Sequence, residues 1–260
     1  MKQQNKSLLV IGLLIFAIGL VISLIFNGLV LWANLEGMSF WGYPESLAFD
    51  SSLTTEARIT GLKCPVLLTP GEVKKVTVMV QNPNEFATTA WISAHISMPN
   101  MLENMVRDLR SVTLEPGEKA TLSWEVTDDN TVYNRMILAR VFLRLTERHP
   151  PARTQHCGIL TLDFWGFSST LVVIFLIGIS FLLQVLGILI WWLKNPQGRK
   201  QNNQIRNILL SLTILAIIAT IGSLFHMWVL GLLGLILTLI IVFSFVGYAI
   251  GKSDGKFIER

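Results

Sequence analysis

The hydrophobic and polar positions of this 260-residue chain follow two patterns, one continuous and the other alternating. Uninterrupted apolar runs cover residues 7–32, 167–193 and 207–250, and none of the three contains Asp, Glu, Lys or Arg. About 20 apolar residues cross the ~30 Å hydrocarbon core of a bilayer, so the first two runs each predict one transmembrane helix. The third run is long enough for two helices, and we expect their hairpin turn at Gly222–Trp228.

The first apolar run predicts an uncleaved signal anchor. A cleavable secretory signal has a shorter apolar region of about 7–15 residues, followed by a small-x-small cleavage site. The sequence Val30-Leu31-Trp32-Ala33 offers no such site. Tryptophans also mark the ends of the predicted spans, where an indole ring favours the headgroup layer. They are Trp32, Trp165, Trp191, Trp192 and Trp228.

Residues 33–166 show the alternating pattern, which is typical of strands with one buried face. In the clearest case, Ile137, Ala139, Val141, Leu143 and Leu145 alternate with Leu138, Arg140, Phe142 and Arg144. The same pattern predicts strands at 76–80, 90–98 and 120–126, and shorter ones at 56–62, 109–114 and 157–163. The segment 100–108 is compatible with a helical turn or a loop. Seven short antiparallel strands predict an immunoglobulin-like β-sandwich.

The expected fold class is a four-span α-helical membrane protein with this all-β, immunoglobulin-like sandwich inserted between spans 1 and 2. The expected domains are the N-terminus with helix 1 (1–32), the sandwich (33–166), helix 2 (167–193), a basic loop (194–206), the hairpin of helices 3 and 4 (207–250) and a tail (251–260). Composition agrees, since 15% of the residues are charged, whereas a soluble domain has about 25%. It excludes a soluble enzyme, a disordered chain and a disulfide-dense miniprotein.

Charge predicts the orientation, because Lys and Arg are retained on the cytoplasmic side of a membrane. Segments 1–6, 194–206 and 251–260 together hold nine basic and two acidic residues, while 33–166 holds 12 basic and 15 acidic residues. We therefore expect a multi-pass protein of the cell membrane with both termini cytoplasmic and residues 33–166 extracytoplasmic. The net charge of +4 then arises at the cytoplasmic flanks and indicates lipid headgroups rather than nucleic acid as the partner.

Two segments of the predicted sandwich repeat one pattern, Leu68-Thr69-Pro70-Gly71-Glu72 and Leu114-Glu115-Pro116-Gly117-Glu118. In each, Leu is predicted to end a strand, Pro-Gly to make the turn, and Glu to start the next strand. With Gln81-Asn82-Pro83, this pattern resembles bacterial and archaeal cell-adhesion-related and fibronectin-III-like sandwich modules, over about residues 60–162. The resemblance implies a fold and no activity.

Cys64 and Cys157 are the two cysteines of the chain, and both fall in the segment expected outside the cytoplasm. A pair on the oxidising side of a membrane favours a disulfide over a metal or redox site. The bridge would join the region before the second predicted strand to the last strand. This differs from the inter-sheet bridge of antibody domains, so neither Trp91 nor Trp124 takes the role of the antibody core tryptophan.

The sequence offers no clear catalytic, cofactor or metal site. His149, His156 and Cys157 are close in sequence, but Cys157 has a better partner in Cys64, and no further zinc motif accompanies them. Phosphate-binding glycine loops are absent from the sequence. His226, in the predicted hairpin turn, could ligate a haem or chlorin metal, although contact with water or headgroups is the simpler interpretation.

An aromatic residue between two arginines is the sharpest candidate for binding. Arg140, Phe142 and Arg144 share the predicted outer face of one strand, and such a composition is enriched at interface centres. A solvated strand face is the simpler interpretation, and docking of a protein partner is the alternative. We therefore expect a non-catalytic membrane protein with an extracytoplasmic binding domain, acting as an accessory or scaffold subunit or as a surface interaction protein. A small transporter or channel subunit, and a membrane enzyme, are the other possibilities.

Overall fold

The structure is a computed structural model that describes residues 2–41, 57–99, 105–144, 151–194 and 200–254. Its helices are α1 (Lys2–Phe40), α2 (Ser169–Lys194), α3 (Lys200–Leu224) and α4 (Trp228–Asp254). Its strands are β1 (Arg58–Lys63), β2 (Leu67–Leu68), β3 (Lys74–Gln81), β4 (Thr88–Ile96), β5 (Val106–Leu114), β6 (Lys119–Val126), β7 (Met136–Arg144) and β8 (Pro151–Thr161). The chain divides into a helical unit, Met1–Gly28 with Val173–Arg260, and a β unit, Leu29–Val172.

Four helices are long and apolar enough to cross a membrane, as the sequence predicts. The qualifying segments are Ser7–Phe40, Ser169–Leu193, Gln204–Leu224 and Trp228–Gly247. The predicted hairpin turn is also confirmed, because α3 ends at Leu224 and α4 begins at Trp228.

Helix boundaries differ from the sequence prediction, most clearly at the end of α1 and at the start of α3. Helix α1 continues from the predicted end at Trp32 to Phe40, since residues 33–40 contain no proline and several good helix formers. Helix α3 begins at Lys200, inside the predicted loop 194–206, because residues 200–206 are mostly polar but include no helix breaker. An apolar run shows which part of a helix can lie in a bilayer. The helix itself continues as long as its backbone hydrogen bonds do, whatever the polarity of the side chains.

The strands form a three-stranded sheet in the order β1-β3-β6 and a five-stranded sheet in the order β2-β8-β7-β4-β5. All pairs are antiparallel except β2 with β8. Each of the seven predicted strands occurs, and the two-residue β2 is an addition. Strand β5 begins at Val106, within the segment 100–108 whose conformation the sequence left open; residues 100–104 and Leu145 lie outside the described residues.

The inward side chains of both sheets form one hydrophobic core. Val78 of β3, Ile92 of β4 and Val141 of β7 are all at most 1% exposed, which confirms the alternation seen in the sequence. Trp124 of β6 belongs to this core, and its Nε1 donates a hydrogen bond of 2.8 Å to Asp108 Oδ2 of β5. That bond joins an edge strand of one sheet to an edge strand of the other.

The two Leu-x-Pro-Gly-Glu segments form matching turns. Gly71 and Gly117 have φ angles of +80° and +73°, a region that glycine enters without steric cost. In each turn the glutamate carboxylate accepts a hydrogen bond from the backbone three residues earlier. Glu72 Oε2 accepts from the N–H of Thr69 at 3.2 Å, and Glu118 Oε2 accepts from the N–H of Glu115 at 2.7 Å. The glutamates thus stabilise the turns and precede the strands, instead of starting them as the sequence pattern predicted.

Candidate interaction surfaces

The predicted disulfide between Cys64 and Cys157 is present. Cys64 follows β1 of the three-stranded sheet, Cys157 lies in β8 of the five-stranded sheet, and their Cα atoms are 6.5 Å apart. Cys157 is fully buried within the core that both sheets share. The bridge therefore ties the two sheets together covalently.

The face predicted to be open for a partner is covered within the chain itself. Phe142 is 1% exposed, although it points away from the core between the sheets. Its ring meets His95 edge-on with centroids 4.8 Å apart, and His95 in turn lies 5.8 Å from the ring of Trp41, just beyond α1. The side chain of Arg144 lies outside the described part of the structure. The expectation of an exposed Phe142 is wrong because the extension of α1 covers this sheet.

Arg140 joins this cover to the sheet. Its Nη1 donates to the backbone oxygen of Trp41 at 3.0 Å, and its Nη2 donates to Thr154 Oγ1 at 3.2 Å. The guanidinium carbon also lies 5.2 Å from the centre of the Phe142 ring, within the range of a cation–π interaction. Arg140 is half-buried. These contacts give Arg140 a structural role, because they hold the residue after α1 against the five-stranded sheet.

Two glycines allow α1 to approach strand β8. A Cβ atom on Gly158 would overlap the backbone carbonyl of Ala33, and one on Gly37 would lie 3.2 Å from the carbonyl oxygen of Cys157. The N–H of Gly158 donates to Asn34 Oδ1 at 3.2 Å. A glycine inside a strand can indicate such a close backbone approach, so Gly158 was the available sign that something would cover this sheet.

His156 lies beside Arg140 on the neighbouring strand, in direct register. Burial and then the positive charge of Arg140 lower the pKa of His156 to about 4, so the imidazole is neutral at pH 7. Cys157 is used in the disulfide, and His149 lies outside the described residues. Across the described part of the chain, no group of three His, Cys, Asp or Glu side chains could hold a metal ion.

The outer face of the three-stranded sheet has no contact with α1 among the described residues and is largely polar. We call it the basic face, and it comprises Arg58, Lys63, Lys75, Lys119 and Glu125 with the residues between them, Gly61, Thr77, Met79, Gln81, Thr121 and Ser123. The four basic residues are exposed, and Glu125 Oε1 lies 3.7 Å from Lys75 Nζ. The sequence indicated these residues only as the polar half of an alternating pattern.

Glu72 also holds the first turn of α2. Its Oε1 accepts a hydrogen bond of 3.0 Å from the N–H of Ser169, the first residue of the helix. A carboxylate at a helix N-terminus satisfies a free N–H group and interacts favourably with the helix dipole. Burial raises the pKa of Glu72, but the hydrogen bonds from Ser169 and Thr69 lower it by more, so the net pKa is below its ordinary value. Lys74 Nζ adds a bond of 3.0 Å to Thr170 Oγ1.

The helical unit is held by small residues and contains buried polar groups. Gly12 packs against Gly187, Gly19 against Ser180, and Gly222 against Gly231. A Cβ atom on Gly178 or on Gly247, by contrast, would have no neighbour within 4 Å.

Asn27 is the centre of a polar cluster in the helical unit. Its Nδ2 donates to Ser23 Oγ at 3.2 Å and to Thr220 Oγ1 at 3.1 Å. Asn27 Oδ1, Ser223 Oγ and Gln184 Oε1 are buried and have no hydrogen-bond partner among the described residues. Buried polar groups of this kind are rare and require an explanation.

No protein-family model matches the chain, and no curated protein sequence matches it. Solved structures similar to the chain include the CARDB domain of the PF1109 protein from Pyrococcus furiosus, with 12% identity, a TM-score of 0.33 and coverage of 41% of this chain and 88% of that domain. The alkylpurine DNA glycosylase AlkC of Pseudomonas fluorescens has 11% identity, a TM-score of 0.31 and coverage of 41% and 30%. A β-glucosidase from Listeria innocua has 19% identity, a TM-score of 0.28 and coverage of 42% and 16%.

The structural neighbours thus include a cell-adhesion-related β-sandwich domain at low identity and partial coverage. The chain spans less than a third of the glycosylase and of the glucosidase. Because these TM-scores are low, the function proposed below rests on the chain's own residues.

Proposed function

We propose that this chain is a multi-pass membrane protein that holds its β unit outside the cytoplasm as a non-catalytic binding module. It acts there as an accessory or scaffold subunit of a membrane complex. We also propose that the two sheets are an immunoglobulin-like sandwich of the adhesion-related kind. Their common core, the antiparallel pairing of the long strands and the Pro-Gly turns support this assignment.

The observation that carries the proposal is that α1 packs on the outer face of one sheet but not on the outer face of the other. The five-stranded sheet is covered by α1 over β7 and β8, where Phe142 is 1% exposed, while its edge strand β5 keeps an exposed outer face. The basic face of the three-stranded sheet is uncovered, and it carries four exposed basic residues against the single acid Glu125. A partner with an acidic surface complements this charge, and complementary charge speeds association and selects among partners.

Site-specific photo-crosslinking in native membranes tests the binding role. A photoreactive amino acid replaces Thr121 on the basic face or, as the control, Phe86, which is 62% exposed in the loop between β3 and β4. We expect one discrete adduct from position 121 and none from position 86. Absence of an adduct from position 121, or the same ladder from both positions, contradicts the proposal.

Reversing the charge of basic-face residues tests whether that face provides the binding specificity, and a charge reversal in the other sheet serves as the matched control. The double variant Lys63→Glu/Lys119→Glu changes two exposed residues of the basic face and should abolish the position-121 adduct. Arg107→Glu changes an exposed arginine of β5, in the other sheet, and should leave the adduct unchanged. If both variants behave alike, the basic face does not provide the binding specificity.

The orientation is tested by thiol labelling with a membrane-impermeant reagent. Excess basic residues in 1–6, 194–206 and 251–260 support a cytoplasmic location of both termini. A cysteine at Ser123 should then react in intact cells, and a cysteine at Gln197 only after permeabilisation. The reverse pattern, or equal labelling, rules out this orientation.

A transporter or channel subunit is the second candidate, and the Asn27 cluster favours it. Polar groups inside membrane helices are costly and mark solute or ion pathways, and Asn27 Oδ1 is buried with no partner among the described residues. Flux of a monovalent cation into proteoliposomes tests this function. Flux that Asn27→Leu removes would support transport, and the absence of flux in the unmodified protein would reject it.

A further inference from the structure

The exposed apolar side chains in the loops of the β unit are concentrated at one end of its sheets. Among the described loop residues of the β unit, the large exposed apolar side chains are Val73 (59%), Phe86 (62%), Tyr133 (57%), Trp165 (88%) and Phe167 (54%). Val73 precedes β3, Tyr133 precedes β7, and Trp165 and Phe167 follow β8. Strand β3 starts where β6 ends, and β7 starts where β8 ends. Strand β2 runs parallel to β8, ends beside Thr161 and leads through one turn into β3, so all but Phe86 lie at the same end.

Backbone and side-chain bonds hold these loops next to the first turn of α2. The N–H of Thr161 donates to the carbonyl oxygen of Arg135 at 2.8 Å, which joins the end of β8 to the loop that contains Tyr133. Glu72 binds the N–H of Ser169, which brings the loop with Val73 to the start of α2. The Arg135 guanidinium lies 5.3 Å from the ring centre of Trp32 in α1, so α1 passes this same end.

We propose that the loops 71–73, 131–135 and 163–168, which we call the seat, lie in the headgroup layer of the membrane. The inference rests on the proposal that the four helices cross a membrane. Tyrosine and tryptophan favour the headgroup layer because their rings are apolar and one edge is polar. Trp165 lies four residues before Ser169, where an apolar segment long enough to span a bilayer begins.

The attraction is apolar and aromatic rather than electrostatic. The charged residues of the seat are Glu72, Arg135 and Asp163, which give no net positive charge. Burial of four large side chains in the interface removes apolar surface from water, at about 25 cal/mol per Å². Zwitterionic lipids are therefore sufficient, and anionic lipids should not strengthen the contact. The loop that contains Phe86, at the other end of the sheets, should lie in water.

Depth-dependent fluorescence quenching tests the seat. Cysteines replace Val73, Tyr133, Phe86 or Ile214, and each receives an environment-sensitive fluorophore; Cys64 and Cys157 are already joined in the disulfide. The labelled full-length proteins are placed in phosphatidylcholine bilayers that contain lipids with a nitroxide near the headgroup or deep in the acyl chain. Ile214 is 57% exposed on α3, within a candidate span, and serves as the membrane-embedded reference.

We expect the headgroup-proximal nitroxide to quench the labels at positions 73 and 133 at least threefold more than the label at position 86. The deep nitroxide should quench position 214 most, and replacing a third of the lipid with phosphatidylglycerol should change none of these ratios.

If positions 73 and 133 are quenched no more than position 86, the seat does not exist, even though position 214 is quenched. If position 214 is not quenched, the membrane placement of the helices has itself failed. An electrostatic contact is indicated instead if quenching at 73 and 133 requires phosphatidylglycerol, and the apolar seat is then wrong.

Discussion

Gly158 lies so close to Ala33 that a Cβ atom on Gly158 would overlap the Ala33 carbonyl group. This pair sets the distance between α1 and the five-stranded sheet. The same approach places Asn34 within 3.2 Å of the Gly158 N–H. The cover over Phe142 thus depends on a residue that has no side chain.

Replacing Gly158 with Ala should destabilise the β unit. The added methyl group has to displace the backbone of α1, and overpacking of this kind costs about 1–3 kcal/mol. We expect a lower unfolding temperature in detergent and faster amide hydrogen exchange in residues 33–40. Gly178→Ala is the matched control, because a methyl group there meets no atom within 4 Å. Equal unfolding temperatures for the two variants would show that α1 does not pack as described.

Replacing Glu72 with Gln should weaken the start of α2 more than the equivalent change in the other turn. Glu72 and Glu118 bind the same backbone position of their turns, but Glu72 alone also accepts the N–H of Ser169. A charge at a helix N-terminus contributes about 0.3–1 kcal/mol, so Glu72→Gln should cost more than Glu118→Gln by about that amount.

The difference in unfolding free energy between Glu72→Gln and Glu118→Gln should depend on pH. The pKa of Glu72 is lowered in the folded protein, so its carboxylate stabilises the fold above the ordinary carboxyl pKa, and this contribution is lost as the pH falls through the lowered value. Chemical denaturation at pH 7 and at pH 3 measures the effect. A difference between the variants that is the same at both pH values would contradict the capping role.

His156 should make the β unit less stable in mild acid. Its folded pKa is about 4, whereas its ordinary value is 6.5, so the unfolded chain takes up a proton first as the pH falls. The stability contribution is complete above about pH 6.5 and declines as the pH falls to about 4. His156→Gln removes the titrating group and should flatten this part of the stability profile. If the variant's stability still falls with the same slope between pH 6.5 and 4, the pH dependence arises from groups other than His156.

Removing the disulfide should destabilise the β unit strongly. Cys64 and Cys157 are separated by 93 positions, and the chain-entropy model gives about 4–5 kcal/mol for a loop of this length as an upper figure. The double variant Cys64→Ser/Cys157→Ser should unfold at a lower temperature. Unmodified protein should contain no alkylatable thiol before reduction and should yield a linked peptide after digestion. Free thiols in freshly purified, unreduced protein would contradict the bridge.

The sequence and the structure agree best where the information is local. Apolar runs predicted four helices, and the alternation around Val78, Ile92 and Val141 predicted which strand faces enter the core. The Pro-Gly turns and the cysteine pair were also predictable, because each depends on a few residues or on pairing by elimination. Helix ends were predicted less well, since hydropathy does not mark where backbone hydrogen bonding stops.

Phe142 illustrates what the sequence could not predict. Alternation correctly placed it on the outer side of its strand, but whether that side is open depends on residues 33–41, about a hundred positions away in the chain. The basic face could not be predicted either, because in the sequence its residues look like any solvated strand face.

The sequence by itself determined the apolar helices, the strands, the inward faces and the disulfide, because periodicity and composition act over short stretches of chain. Only the tertiary structure decided which sheet face α1 covers, that Glu72 caps α2, and which apolar loops lie at one end. These relationships join residues distant in sequence, and they follow from close approaches such as Gly158 to Ala33. Local patterns carry no information about such approaches, because the partner of a face is chosen by the packing of the whole unit.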